Sequence, residues 1–413
     1  MSMIRRRHVY HLAGYDPIDA GAQYRRFARQ LDVFRRTWNV DAILSTLEQS
    51  NAQSRAWWTV NARAANWQVE TVHEALLWDD IVRGDFTRPL PLRLFKAARA
   101  YLDFIVTGTM FRYIIANQRY AGFFLFPILS VVLFAAGGWL VARLLTAFLG
   151  LEGMSAAAVG LAVGVAVFLV LLRWPGRRWR VQQLLDDWIC ANDYIHGRRP
   201  DIDARLDRFA ETLLTRAREG AVDEIVVVGH SLGAMLVLDV VVRALARDAD
   251  FGRRGTTICV LTIGATIPKF ALHPRAQGVR GTIARVVAEP SIAWTEYQSR
   301  ADTISFYKFD PVSLRHIPDD RLDRKPVIRR VQIHDMLLPE TFARCRHSVL
   351  RLHYRSVMAN DRRAPYDYFL MVCGPVPFLD WTMSPVGLLD FVAADGTYRD
   401  PSRPRTVLAQ PSL

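Results

Sequence analysis

Cysteine and lysine are scarce in this chain, and each scarcity removes a class of explanation. The four cysteines, Cys190, Cys259, Cys345 and Cys373, lie far apart with no CxxC pair, so the sequence predicts neither a zinc site nor a disulfide framework. A reducing compartment follows. Lysine occurs only at Lys96, Lys269, Lys308 and Lys325 among 53 basic residues, so arginine carries nearly all of the net charge of +13. The arginines are dispersed among acids and no nucleic-acid motif accompanies them. The expectation is therefore no nucleic-acid partner, but an arginine-rich surface suited to solvent or to anionic lipid. Repeats are absent, and the short apolar run after the first basic residues breaks at Gly14 without a cleavage-site pattern, so no signal peptide is expected.

Long uncharged runs, in contrast, are present twice. AGFFLFPILSVVLFAAGGWLVA (121–142) and GMSAAAVGLAVGVAVFLVLL (153–172) are each about 20 residues long, enough at about 1.5 Å per residue to cross a hydrocarbon core of roughly 30 Å. A pair joined by a short link reads as a transmembrane hairpin. Arg112 and Arg119 precede the first run, and Arg173, Arg177, Arg178 and Arg180 follow the second, while the link holds Arg143 and Glu152. By the positive-inside rule both termini lie in the cytoplasm. Gly160 and Gly164, with Gly138 and Ala142 on the first run, supply small steps for close packing. Upstream, residues 91–120 mix aromatics with arginine and lysine at helical spacing. An interfacial helix and a helix packed on a soluble domain both fit that pattern.

The flanking parts read as one α/β domain split by this insertion: 1–120 as its N-terminal part, 121–174 as the hairpin, 175–400 as its main part and 401–413 as a loose tail. HVYHLAG offers a first strand and a glycine turn, followed by a helix for which Asp16 is the expected N-cap and Pro17 the first helical residue. Residues 59–72 alternate enough for a strand or hairpin. The run IVVV and the segments 256–265, 292–298 and 327–333 read as further strands of a mostly parallel sheet, separated by helices or loops.

The chemistry is carried by GHSLG, Gly229 to Gly233. It follows the IVVV strand and opens the apolar helix AMLVLDVVVRAL, which is the strand-turn-helix setting in which a serine becomes an exposed, strained nucleophile. Glycines at 229 and 233 remove side chains that would collide with the neighbouring strand and helix. The dipole and unpaired N–H groups of the helix start favour an oxyanion beside Ser231, with the Leu232 N–H as one donor.

With these features the chain resembles the α/β-hydrolase superfamily, of lipase and esterase type, although the hairpin insertion departs from the common pattern. The resemblance implies a second oxyanion donor from the glycine turn after an early strand, here the Tyr15 N–H after Gly14, and a chain order of nucleophile, acid, histidine. For the acid, Asp302 lies in the first loop after a strand, Asp310 before Pro311 reads as a turn residue, and Glu289 and Glu296 remain as further candidates. For the histidine, His334 follows a strand directly, whereas His347 and His353 fall in PETFARCRHSVLRLHYRSVMAND, expected as a helix. The segment LRLHYRSVMANDRRAPYDYFLMVCGP is similar to a histidine-bearing segment of membrane-associated bacterial hydrolases, which favours His353. His11 is expected to have a local structural role. The resemblance thus implies a serine hydrolase of a bacterial inner membrane, its hydrolase domain cytoplasmic. It would cleave lipid-like esters or thioesters through Ser231, Asp302 and His353 without metal or organic cofactor. A non-catalytic, membrane-anchored interaction protein on the same fold is the alternative.

Overall fold

The computed structural model describes residues 3–52 and 54–401; all but the first residue of the expected tail lies outside them. The chain forms two compact units. One comprises Met1–Val82, Pro200–Ala271 and Ala276–Leu413, the other Arg83–Arg199 and Leu272–Arg275. The division falls outside the 121–174 drawn around the apolar runs, because the helices before and after those runs pack with them.

The first unit is built on a nine-stranded sheet. Its strands are β1 (Arg6–Leu12), β2 (Asp41–Leu44), β3 (Glu48–Ser50), β4 (Arg55–Ala64), β5 (Trp67–Leu76), β6 (Glu224–His230), β7 (Thr257–Ile263), β8 (Ile292–Ser299) and β9 (Val327–Val331). Their order is β9-β8-β7-β6-β1-β5-β4-β2, with β3 also on β4. From β9 through β5 every pairing is parallel, and the β4, β2 and β3 pairings are antiparallel. β6 is buried along its whole length, which is why EIVVVGH lacks the alternation of a half-exposed strand. β4, by contrast, alternates buried and part-exposed residues, as a strand with one wetter face does.

Helices cover both faces. On one, Val9, Val226, Val228, Cys259 and Leu261 join a core with Phe27, Phe34 and Trp38 of helix Ala20–Trp38 and with Phe369 and Trp381 from the C-terminal region. On the other lie helices Pro200–Glu219 and Gly233–Arg247, and the Tyr10 hydroxyl donates to the Thr212 carbonyl at 3.4 Å. The strand expectations hold to within a few residues. Two local expectations do not. The first helix begins at Ala20 and is capped by Asp19, whose side chain accepts from the Ala22 N–H; Asp16 is instead engaged by the Tyr354 hydroxyl, so it is held away from the helix start. The segment expected as one helix around His347 is two, Pro339–Cys345 and Val349–Arg355, because Ser348 caps the second with its hydroxyl on the Arg351 N–H.

The second unit is helical. An aromatic cluster of Tyr101, Phe104, Tyr113, Tyr120, Phe124 and Trp188 forms its interior. Arg88 and Arg93 bind buried Asp186 at 2.8 and 2.9 Å. Burial outweighs the two guanidinium groups and pushes that carboxyl up to about 6. Two helices, Gln118–Phe148 and Gly153–Arg173, are long and apolar enough to cross a membrane, with mean hydropathy of 2.2 and 2.6 in their most apolar stretches. Of those stretches only 28% and 6% is buried. They approach closely at small residues: a Cβ on Gly138 would lie 2.5 Å from the Gly164 carbonyl oxygen, and one on Gly164 would lie 3.7 Å from the Ala142 Cβ.

Candidate active site

All residues of this site belong to the sheet unit. β6 ends at His230, helix Gly233–Arg247 starts three residues later, and the intervening Ser231 takes a left-handed backbone with φ +59°. A side chain other than glycine in that region costs of order 1 kcal/mol or more. The turn is held by its backbone: the Ser231 N–H donates to Ile263 at 3.2 Å, and its carbonyl accepts from the Ala234 and Thr266 N–H groups at 3.2 and 3.3 Å. Both flanking glycines are required by space. A Cβ on Gly229 would lie 2.6 Å from the Ala234 Cα, and one on Gly233 would lie 2.6 Å from the Ala13 carbonyl oxygen.

The turn after β1 abuts the serine. A Cβ on Gly14 would lie 2.7 Å from the Ser231 Cβ and 3.1 Å from its Oγ. The Asp16 N–H closes this turn on the Gly14 carbonyl at 2.8 Å, and Trp78 anchors it through its indole N–H on the Ala13 carbonyl at 3.0 Å. Tyr15, inside the turn, meets the Trp78 ring edge-on at 5.9 Å. Leu232 stands at the start of the next helix with helical φ and ψ, where backbone N–H groups lack intrahelical acceptors.

Asp302 and His353, 51 positions apart, meet with Oδ2 2.8 Å from Nδ1, and both side chains are buried. The other carboxylate oxygen accepts from the Ile304 N–H at 3.0 Å. A carboxylate at Nδ1 fixes the proton there and leaves Nε2 as the acceptor nitrogen of the ring. The His353 Nε2 is buried without a hydrogen-bond partner among the described residues. Gly264, at φ +54°, makes room for the pair: a Cβ there would lie 3.0 Å from the Asp302 Oδ2 and 3.3 Å from the His353 Cε1. Since Ser231 bonds to Ile263, the residue before Gly264, serine and imidazole flank the same strand end.

The other candidates lie apart from this cluster. Asp310 is tied to Arg321 and accepts from Ser313 at 2.7 Å and the Val312 N–H at 2.9 Å. Burial opposes its ionisation, but these bonds prevail and hold its carboxyl below the usual range. Glu296 is buried on β8 with Gln298 and Thr262, and burial pushes it up to about 8. Glu289 binds Arg253 and Ser291. His334 is exposed beside Asp335 at 2.9 Å. His347 is exposed in the turn between two helices, with Arg346 donating to it at 2.9 Å.

Sequence reasoning missed His230, the residue immediately before the serine in GHSLG. Its ring lies 4.6 Å from that of His353, and its Nε2 is 3.2 Å from the His353 carbonyl oxygen. Burial lowers its pKa well below the usual imidazole value, with His353 and His11 adding to the effect, so it donates as a neutral ring. The Tyr354 link to Asp16 likewise joins the His353 helix to the turn beside Ser231. Neither contact has a signature in the local pattern. His11 accordingly has a structural setting, with Nδ1 at 2.8 Å from the Tyr368 hydroxyl. Among the described residues no group of histidine, cysteine and acid side chains could hold a metal ion. Compared with protein families, curated proteins and solved structures, the chain matches none.

Proposed function

We propose that this chain is a membrane-anchored serine hydrolase of the α/β-hydrolase kind, cleaving ester or thioester bonds of amphipathic substrates. One observation carries the reading: a buried Asp302–His353 pair with an unpartnered Nε2, set against the residues that hold a strained serine on a strand-to-helix turn. A buried imidazole nitrogen without a partner is costly unless a reacting hydroxyl uses it.

In the reaction, His353 Nε2 takes the Ser231 proton while Oγ attacks the acyl carbonyl carbon. The carbonyl π electrons move onto oxygen, and the resulting oxyanion is met by the Leu232 and Tyr15 N–H groups. Asp302 holds the imidazolium through Nδ1. Collapse of the tetrahedral intermediate breaks the bond to the leaving alcohol or thiol, which receives the proton from Nε2. Water, deprotonated by the same nitrogen, then attacks the acyl-enzyme, and collapse returns the proton to Ser231 and releases the carboxylic acid.

The two apolar helices support an anchor in the membrane. A helix from the core of a soluble protein would be mostly covered, whereas these stretches are largely exposed. With the arginine flanks, this supports a hairpin whose ends, and with them both termini, face the cytoplasm of a bacterial inner membrane. Such an anchor favours lipid-like or acyl-ester substrates over fully soluble ones. Hydrolysis of p-nitrophenyl esters by the purified full chain tests the reading. Ser231→Ala should abolish turnover, and a variant with undiminished turnover would overturn it.

A further inference from the structure

The start of the first apolar run sets the level at which the preceding chain meets the membrane. Gly153–Arg173 has 21 residues, about 31 Å, which matches a hydrocarbon core of about 30 Å. Gln118–Phe148 has 31 residues, and its uncharged run is 121–142, so the part from Arg143 onward lies at the link and Gln118, Arg119 and Tyr120 lie at the other boundary of the core. The exit of the shorter helix marks the same level with exposed Trp174 and Trp179 and with exposed Arg173, Arg177, Arg178 and Arg180, the residues that favour a headgroup boundary. The Trp179 ring lies 6.3 Å from that of Phe126.

Helix Leu90–Val106 packs on the first turns of this longer helix, next to that boundary. The Tyr101 hydroxyl donates to the Phe124 carbonyl at 2.8 Å, and the Phe104 and Phe124 rings meet at 5.6 Å. Its buried face carries Arg93, Ala97, Ala100, Tyr101 and Phe104. At 100° per residue the opposite face carries Phe95, Leu102 and Val106, which are 67%, 62% and 76% exposed. Water-facing helix surfaces carry polar residues there. The next helix, Thr109–Ala116, ends two residues before Gln118 and exposes Phe111 by 58%.

We infer that these two helices form a monotopic foot, their apolar stripe of Phe95, Leu102, Val106 and Phe111 immersed in the bilayer interface beside the hairpin. The occupant of the stripe is lipid, because the stripe lies at the depth of the tryptophan and arginine belt and is continuous in the chain with the first spanning helix. Arg99, beside the stripe at 100° per residue, is bonded to Asp193 at 2.9 Å, and a charge at that place suits the headgroup level. The inference rests on the reading of the two helices as membrane-spanning.

Depth-dependent quenching tests it on the full chain in nanodiscs of phosphatidylethanolamine and phosphatidylglycerol. The four native cysteines are buried, so an environment-sensitive dye goes to a cysteine introduced by Phe95→Cys, Leu102→Cys or Phe111→Cys. Leu133→Cys reports on the spanning helix, and Asp323→Cys on a solvent-exposed loop. Lipids with a nitroxide high on the acyl chain should quench the three stripe positions about twofold more than lipids with a deep nitroxide, as expected for burial about 5–10 Å into the interface. Leu133 should respond in the reverse order and Asp323 to neither. If Leu133 is quenched but the stripe behaves like Asp323, the foot is refuted and the spanning helices stand. If Leu133 also escapes, the spanning reading fails and the foot with it. Stripe dyes shielded from an aqueous quencher yet untouched by either lipid would mean that protein covers the stripe, which also overturns the inference.

Discussion

Mild acid should loosen the sheet unit through three histidines that it buries in neutral form. Burial is the leading cause at each: it lowers His11 to about 3 and takes His73 and His230 well below the usual imidazole value. In the unfolded chain each titrates near 6.5. Between the two values the unfolded state holds a proton that the folded state does not, so stability is complete above about pH 6.5 and is lost as pH falls towards the folded pKa. For His11 the loss is about 1.4 kcal/mol per pH unit, hence about 2 kcal/mol on going from neutral to about pH 5. His73 and His230 add losses of the same sign, to be set against a whole stability of about 5–15 kcal/mol for a typical domain. Hydrogen exchange of peptides from β1, β5 and β6 in the full chain, corrected for the intrinsic pH dependence, reads this locally. The Trp58 ring stacks on His73 at 4.9 Å, so His73→Phe keeps an aromatic partner while removing one proton site, and the pH dependence should become shallower. Protection that stays flat down to about pH 5, or a slope that His73→Phe leaves unchanged, would mean that these rings are not held neutral by the fold.

His353→Ala should reduce ester turnover by roughly three to six orders of magnitude, while His334→Ala and His347→Ala, at exposed positions, should leave it within about twofold; a large loss from His334→Ala in steady-state assays would transfer the role. Gly14→Ala places a methyl carbon 2.7 Å from the Ser231 Cβ, so it should depress kcat by about tenfold or more while circular dichroism stays unchanged. A cysteine introduced at Glu152 should react with an impermeant maleimide from outside intact cells, while a reporter fused after Leu413 is active only in the cytoplasm; the opposite pattern would invert the hairpin.

Local patterns made most of the sheet legible. IVVV is continuous because β6 is covered on both faces, and the glycines of GHSLG announce a turn that no other residue fits. The apolar runs were legible by composition, but the extension of the first helix back to Gln118 was not, because Arg119 and Tyr120 continue it without a change of helical preference. The choice of Asp302 among the acids rested on its loop after a strand, and the structure pairs it with His353. Strand order alone favours His334, but β9 ends at Val331 and His334 lies on the short helix Ile333–Met336, exposed to solvent. The imidazole instead arrives on a short helix after a capped break at Ser348, and such a long-range arrangement leaves no periodic trace. His230 was unreadable for the same reason: its neighbours come from a segment more than a hundred residues away. Asp16 preceded a proline in the manner of a cap, but tertiary contact with Tyr354 claimed it.

If Ser231 is a nucleophile activated by His353, an alkyl fluorophosphonate should react with it on the protein in its own membranes. The reagent phosphonylates an activated serine with loss of fluoride, and mass spectrometry of the digested protein locates the adduct. The expected outcome is stoichiometric modification of the peptide that contains Ser231, none in Ser231→Ala, and labelling slowed by orders of magnitude in His353→Ala. An unmodified Ser231 in folded protein, or an adduct that forms equally fast without His353, would contradict it.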